Sequence, residues 1–272
     1  MKIFVTGGTG FIGSRVVKEL QRGHTVHVLT HRLQEIKKVE AELSRFKPDV
    51  VVHLAWEGIP NVGLEMSAKN LAGSIQFFEL LRTHTLKKLV GIGSAWEYET
   101  SEELLASGHG PFIAAKRALK VFGEALMREK KGSFIWVVPL FVYGPGKVSA
   151  SLIPSLIAQA RVGKTPTPRN ADAWHDFIYV DDLARAIALL ATKKVPNGTY
   201  DVGTGVLTRT GGVAHIVAKM FSLPIISLRP VKKKGNKANI HPIQKALDWK
   251  PTVTIEEGVR IMASSFLKEQ HG

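Results

Sequence analysis

The sequence predicts an α/β protein whose sheet is parallel and doubly wound. Short apolar strands alternate with helical patterns from the first residue onward. The first strand also runs directly into a glycine-rich turn, and that turn opens a helix. Ile3 to Thr6 reads as a strand, Phe11 to Arg22 as a helix and Thr25 to Thr30 as a second strand. A charged helix from about Gln34 to Phe46 precedes a third strand at Asp49 to Ala55. A helix from about Leu64 to Thr83 leads to a strand at Lys88 to Ser94. Another helix, from about Pro111 to Lys130, leads to a strand at Phe134 to Leu140. Such alternation indicates βαβ units whose right-handed crossovers place helices on both faces of about six or seven strands.

After about Gly144 the pattern loosens, and prolines punctuate shorter elements. Helices are expected at about Asp181 to Thr192, Thr208 to Phe221 and Ile255 to Lys268. Residues 1–145 are read as a dinucleotide-binding core. Residues 146–272 are read mainly as a small C-terminal substrate-binding cap interleaved with it.

Composition narrows the function. The 272 residues contain no cysteine, which excludes a disulfide framework, a thiolate metal site and a cysteine nucleophile. Ten histidines are scattered without metal-ligand spacing, so no metal is expected. No apolar stretch approaches a signal-peptide core or a membrane span, and a cytoplasmic protein is expected. The 37 basic against 23 acidic side chains give a net charge of +14. That surplus suits acidic small molecules such as pyrophosphates, or only a solvated surface. No nucleic-acid motif accompanies it, so nucleic acid is the minority reading.

Gly7-Gly8-Thr9-Gly10-Phe11-Ile12-Gly13 satisfies G-x-G-x-x-G from Gly8 and G-x-x-G-x-x-G from Gly7. Glycine is required where the backbone turns sharply and where it meets a pyrophosphate without a Cβ in the way. The N–H groups at the helix start then face the phosphates. The fold expected is therefore Rossmann-type. At the end of the second strand an acid would accept from the ribose hydroxyls of NAD, but this chain has Thr30-His31-Arg32. Arg32 can pair with a 2′-phosphate, so NADP is favoured over NAD.

With these motifs on the page, the sequence resembles the extended short-chain dehydrogenase/reductase family of sugar-nucleotide epimerases, dehydratases and ketoreductases. The resemblance rests on an ordered set. The glycine turn, His53-Leu54-Ala55, Asn70 and Gly93-Ser94-Ala95-Trp96-Glu97-Tyr98 come first. Tyr143-Gly144-Pro145-Gly146, Asp176 to Asp182 and Tyr200 to Gly205 follow, and Leu247-Asp248-Trp249-Lys250-Pro251 closes it. The resemblance implies a cofactor site at Gly7, Gly10, Phe11, Ile12, Gly13, Arg32, Leu54, Ala55, Asn70, Lys116 and Pro139. It implies a nucleotide-sugar site at Ser94, Ala95, Trp96, Phe141 and His175, and a homodimer formed through the helices bearing Asn70 and Lys116.

The family's catalytic set is a serine or threonine followed by Y-x-x-x-K, whose spacing puts tyrosine and lysine on one helical face. Ser94 matches the serine and Lys116 the lysine, but the tyrosine position holds Phe112. Positioned acid–base catalysis is worth roughly 10² to 10⁴ in rate. Three readings follow: an introduced Tyr-to-Phe change, a protein that lost activity and became a binder, or a proton supplied by Tyr98 or a water.

Substrate signals also depart from the family. Val138 stands where an arginine often precedes Pro139, His175 where an arginine precedes Asp176, and Phe141 where an asparagine is common. Arg169, Arg209 or the Lys232 to Lys237 cluster are candidates to replace those anchors. The chemistry expected is NADP-linked change at a keto or hydroxyl carbon of a nucleotide-diphosphate sugar. 4-Keto reduction is favoured because little room exists before Asp49 for the extra strand of epimerases. Ala95-Trp96 also occupies the place of a dehydratase's acidic pair. The alternatives are an epimerase or a non-catalytic dinucleotide sensor.

Overall fold

A computed structural model describes residues 1–146 and 151–268. The first half runs β1 (Lys2–Thr6), α1 (Gly13–Leu20), β2 (Thr25–Val28), α2 (Ile36–Phe46), β3 (Val50–His53) and α3 (Leu64–Arg82). Then come β4 (Lys88–Ile92), a 3-10 turn (Ala95–Tyr98), α4 (Ser101–Ser107), α5 (Gly110–Glu129), β5 (Ser133–Pro139) and β6 (Phe141–Tyr143). The rest is α6 (Leu152–Arg161), β7 (Trp174–His175), β8 (Phe177–Tyr179), α7 (Val180–Thr192), β9 (Gly198–Val202) and β10 (Thr208–Arg209). It ends with α8 (Thr210–Met220), α9 (His241–Leu247) and α10 (Ile255–Lys268).

Six parallel strands form the central sheet in the order β2-β1-β3-β4-β5-β9. Alternate residues of each strand face opposite layers. Ile3, Val5, Val50, Val52 and Val90 meet one layer, where α1 and α7 pack together. Phe4, Val51, Leu89, Phe134 and Trp136 meet the other, which includes residues of α2, α3 and α5. Both faces being covered, β3 and β4 are buried along their whole length and read as continuous apolar runs. Only α2 lies between β2 and β3, as the spacing before Asp49 predicts. The strand order reverses between β1 and β3, which opens a crevice at their carboxyl ends.

The sequence pattern misses several elements. The sixth sheet strand, β9, comes from the stretch assigned to the cap, because the chain re-enters the sheet after α7. Helices α4, α6 and α9 are also unforeseen, and Thr208–Arg209 pairs antiparallel with β7 instead of starting α8. Helix α1 begins at Gly13, because Phe11 and Ile12 still belong to the turn. A separate apolar cluster unites α6, α8 and α10 with Tyr143, Phe177 and Tyr179 of the β6–β8 pair.

Two buried carboxylates fasten this C-terminal part. Asp176 accepts from Thr204 N (2.7 Å), Thr204 Oγ1 (2.6 Å), Gly205 N (2.8 Å) and Ala238 N (3.0 Å). Asp182 accepts from Thr252 N and Val253 N, both at 2.9 Å, and pairs with Arg185. Asp176→Asn turns one of these accepting oxygens into a donor facing other donors. It is expected to lower the unfolding free energy by about 3 kcal/mol, read from urea denaturation with an unchanged m-value. A loss under about 0.5 kcal/mol would remove Asp176 from this role.

Candidate active site

The glycine turn is shaped by contacts that no side chain would tolerate. Gly7 has φ +68°, and a Cβ there would lie 2.7 Å from the backbone N of Ala55. A Cβ on Gly13 would lie 2.0 Å from the carbonyl oxygen of Gly7. Gly10 N donates to that same oxygen at 3.1 Å, which closes the turn over the start of α1. The result is a bare backbone cradle at a helix N-terminus, which is the donor set a dinucleotide pyrophosphate requires. Gly7, Gly10, Phe11, Ile12 and Gly13 all line one cleft of about 810 Å³.

The far wall of the cradle is held by a chain of hydrogen bonds at the end of β3. Ala55 N donates to Thr6 Oγ1 (3.2 Å), Thr6 Oγ1 meets His53 Nδ1 (2.8 Å), and His53 Nε2 meets Ser74 Oγ (3.1 Å). Ser74 gives its only proton to the carbonyl of Asn70 at 2.8 Å, so it must accept from His53. His53 therefore carries its proton on Nε2 and accepts the Thr6 proton at Nδ1. Complete burial, with Lys116 adding to it, pulls the His53 pKa down to about 3 and keeps the ring neutral. Asn70 continues the scaffold. Its Oδ1 accepts from Glu57 N (2.7 Å), and its amide donates to Glu57 O (3.0 Å) and Met66 O (2.8 Å). Asn70 thus lines the cleft while its side chain fixes the Leu54–Glu57 segment.

At the end of β2, Thr30, His31 and Arg32 line the cleft, and the nearby acids are engaged elsewhere. Glu42 receives Thr30 Oγ1 (3.0 Å), His31 Nδ1 (2.5 Å) and His27 Nε2 (2.5 Å). Burial opposes its charge, but these bonds outweigh burial and hold its pKa low. Glu35 turns back to Lys38 and to the Arg32 backbone. Arg32 itself is exposed, its guanidinium 4.0 Å from Glu57.

Ser94, Phe112 and Lys116 come together in the same cleft. Ser94 ends the loop after β4 and caps the 3-10 turn, with Glu97 accepting from Ser94 N at 2.8 Å. Its hydroxyl also accepts weakly from Trp96 N at 3.4 Å, and no described group takes its proton. Lys116 reaches back from α5 to donate to Ile92 O at 3.0 Å, and its ammonium lies 4.0 Å above the Trp56 ring. Phe112 meets Trp56 and Trp96 edge-on, with centroids at 5.3 and 5.8 Å. This aromatic cage strips water from the amine. Burial lowers the Lys116 pKa to about 7, against the opposing pull of Glu97.

The remaining expectations divide. Leu54, Ala55, Pro139, Ala95, Trp96 and Phe141 line the cleft as expected. His175 does not. It pairs across to β10 and lies against Phe141 with ring centroids 3.8 Å apart and planes tilted by 34°, beside buried Asp176, which holds the chain to Thr204. Phe177 lines the cleft in its place. Tyr98 also lies outside the lining. Its hydroxyl donates to the Asp201 carboxylate, and burial together with that carboxylate raises its pKa. Arg209 is committed to Asp172 and to the carbonyls of Ala171 and Arg229, away from the cleft. Sequence reasoning did not name Trp56, His109, Tyr143 and Ile153 as site residues, and they also line the cleft. Of these only Tyr143 carried a signal, as the first residue of the Tyr143-Gly144-Pro145-Gly146 motif.

A glycine cradle at a strand-order reversal, with a serine and a lysine converging beside it, defines a dinucleotide-dependent protein of the extended short-chain dehydrogenase/reductase type. The sequence profile described as "NAD dependent epimerase/dehydratase family" matches residues 3–203. The chain belongs to that family. A bifunctional UDP-glucose 4-epimerase and UDP-xylose 4-epimerase of Pisum sativum is 26% identical over 95% of this chain and 93% of its own. The UDP-glucose 4-epimerase of Thermotoga maritima, solved with UDP-glucose, shares the fold with a TM-score of 0.83 at 22% identity. It covers 99% of this chain and 100% of its own. RMD of Pseudomonas aeruginosa, solved with NADPH, has a TM-score of 0.81 at 21% identity, covering 98% and 99%. Among the described residues no helix is long and apolar enough to cross a membrane.

Proposed function

We propose that this protein is an NADP-dependent oxidoreductase acting at a keto or hydroxyl carbon of a nucleotide-diphosphate sugar, with 4-keto reduction as its chemistry. The observation that carries this reading is one continuous cleft holding the glycine cradle, Ser94, Lys116 and an aromatic substrate half. The dinucleotide, when bound, supplies the hydride. The Gly7–Gly13 backbone would hold its pyrophosphate, and Lys116 its nicotinamide ribose. Ser94 has a free hydroxyl proton to place on the substrate carbonyl oxygen, where negative charge grows during reduction. Trp56, Trp96 and Phe112 exclude water around that oxygen. Ala95 is buried and Trp96 packs into the aromatic wall, so no acid pair follows Ser94 to drive dehydration.

The preference for NADP rests on Thr30, His31 and Arg32 lining the cleft while Glu35 and Glu42 are committed elsewhere. Arg32→Ala is expected to weaken NADPH about tenfold and to leave NADH unchanged, the size of one exposed charge-assisted contact. Isothermal titration with both cofactors measures it, and equal losses for the two would reject a 2′-phosphate contact.

The reaction is tested by following NADPH oxidation against a panel of nucleotide-linked 4-keto-6-deoxy sugars. Product formation matched mole for mole by NADP+ supports reduction. Sugar isomerisation without net cofactor oxidation replaces it with epimerisation. Tight NADPH binding with no turnover by the protein or by Phe112→Tyr leaves a dinucleotide sensor.

A further inference from the structure

Six titratable side chains line the cleft among the described residues: His31, Arg32, Glu57, His109, Lys116 and Tyr143. The first three sit at the ends of β2 and β3, where Arg32 faces Glu57 and His31 bonds Glu42. Tyr143 donates to Thr254 O at 3.2 Å, and burial raises its pKa. Lys116 is tied to Ile92 O beneath the aromatic cage. His109 is different. It is the N-cap residue of α5, one turn before Phe112, and its ring lies against Trp96 with centroids 3.7 Å apart and planes tilted by 36°. Phe112 contacts the same Trp96 edge-on. The Nδ1 of His109 is buried without a hydrogen-bond partner, and no described group holds Nε2. A histidine at a packed wall normally has its tautomer fixed by a partner; this one does not.

We propose that His109 is the acid–base group of this site, exchanging with the substrate oxygen the proton that Phe112 cannot. The assignment rests on the sugar-nucleotide reading above. In the direction of reduction an N–H bond of the imidazolium breaks as the carbonyl oxygen takes its proton. The C=O π pair becomes the new O–H bond, and the carbon is reduced by the hydride that the dinucleotide, itself oxidised, supplies. The imidazole regains a proton from water. Alcohol oxidation runs the same steps backward, with neutral imidazole as base.

Burial lowers the pKa of His109 below its ordinary value. The elements packed against α5 carry Glu97 and Glu99 at the 3-10 turn and Glu102 and Glu103 on α4, and α5 itself carries Lys116 and Arg117. None is hydrogen-bonded to the ring. Glu97 serves Ser94 N and Trp136, Glu103 serves Thr100, and Arg117 serves the carbonyls of Glu97 and Glu99. Reduction therefore slows as pH rises above the depressed pKa, because the imidazolium is lost. Oxidation slows as pH falls through it.

The test uses the NADPH-loaded protein and dTDP-4-keto-6-deoxyglucose from pH 5 to 9, comparing wild type, Phe112→Tyr, His109→Gln and the double variant. His109→Gln is expected to be about 10² to 10⁴ slower and to lose the falling alkaline limb. Adding Phe112→Tyr to it is expected to restore turnover, which a merely structural loss would not allow. An unchanged rate and pH profile in His109→Gln overturns the assignment. So does a wild type that is inert while Phe112→Tyr is active, an outcome that keeps the sugar-nucleotide reading. If every variant is inert, the sugar-nucleotide reading fails and the assignment, which rests on it, falls with it.

Discussion

Gly13→Ala is expected to weaken NADPH binding by more than about a hundredfold, or some 2.7 kcal/mol, and to lower Tm by roughly 2–10 °C. The added methyl would sit 2.0 Å from Gly7 O and 2.9 Å from Gly8 Cα. These are backbone atoms of the turn itself, so no side chain can swing away to make room. The Gly7–Gly10 loop must lift off α1, and the N–H groups that would meet the pyrophosphate move with it. Gly23→Ala is the control, since a Cβ there meets nothing within 4 Å. Binding by fluorescence titration and thermal melts of both variants decide the matter. A Gly13→Ala protein that binds NADPH as well as Gly23→Ala would dissociate the turn from the cofactor.

The parts of this molecule that were legible in the sequence are those fixed by local chemistry. Gly7 and Gly13 announce their role because no Cβ fits 2.7 Å from the Ala55 backbone or 2.0 Å from a carbonyl oxygen. Ser94 and Lys116 were found as matches to the resembled family's serine and Y-x-x-x-K pattern, and the fold carries both to one cleft. What was hidden depends on chain return. β9 completes the sheet only after the chain has left it for β6, α6 and the β7–β8 stretch. Its five residues, including an exposed Thr199, lack the apolar run that marks β3 or β4. His175 was misplaced because a motif position says nothing about which way Asp176 turns the chain to reach Thr204 and Ala238. Trp56 and His109 were missed for a related reason. Each is an ordinary aromatic residue until Lys116 and Trp96 are brought against it.

On the proposal that Phe112 stands at the family's tyrosine position, the same cage accounts for the state of the lysine. With a phenol at position 112, the ammonium would lower the phenol's pKa, and the phenol would in turn help to solvate the amine. With Phe112, the amine has one carbonyl, a Trp56 face at 4.0 Å and a more distant Phe112 ring at 5.7 Å. Those contacts hold a charge less well than a hydroxyl would, which is consistent with a pKa brought down to about 7.

Phe112→Tyr is accordingly expected to raise NADPH-dependent turnover of a nucleotide-linked 4-keto sugar by about a hundredfold at pH 8 to 9. The gain should shrink as the pH falls toward and below the depressed pKa of His109. At low pH the imidazolium of His109 already offers a proton, so a phenol adds little. Each unit of pH above the depressed pKa of His109 removes about nine-tenths of the remaining imidazolium, whereas a phenol, ordinarily near 10, keeps its proton to higher pH than an imidazole even when Lys116 lowers it. The variant's advantage over wild type therefore grows with pH, and its slope identifies which acid has been supplemented. Phe112 lines the cleft with its ring 5.7 Å from Lys116 Nζ, so the added hydroxyl extends from a wall shared with the amine and Ser94. Steady-state rates at saturating NADPH from pH 5 to 9, with melts to confirm an intact fold, make the comparison. A gain of the same size at every pH would mean that wild type has no working acid, and a gain at none would separate position 112 from the chemistry altogether.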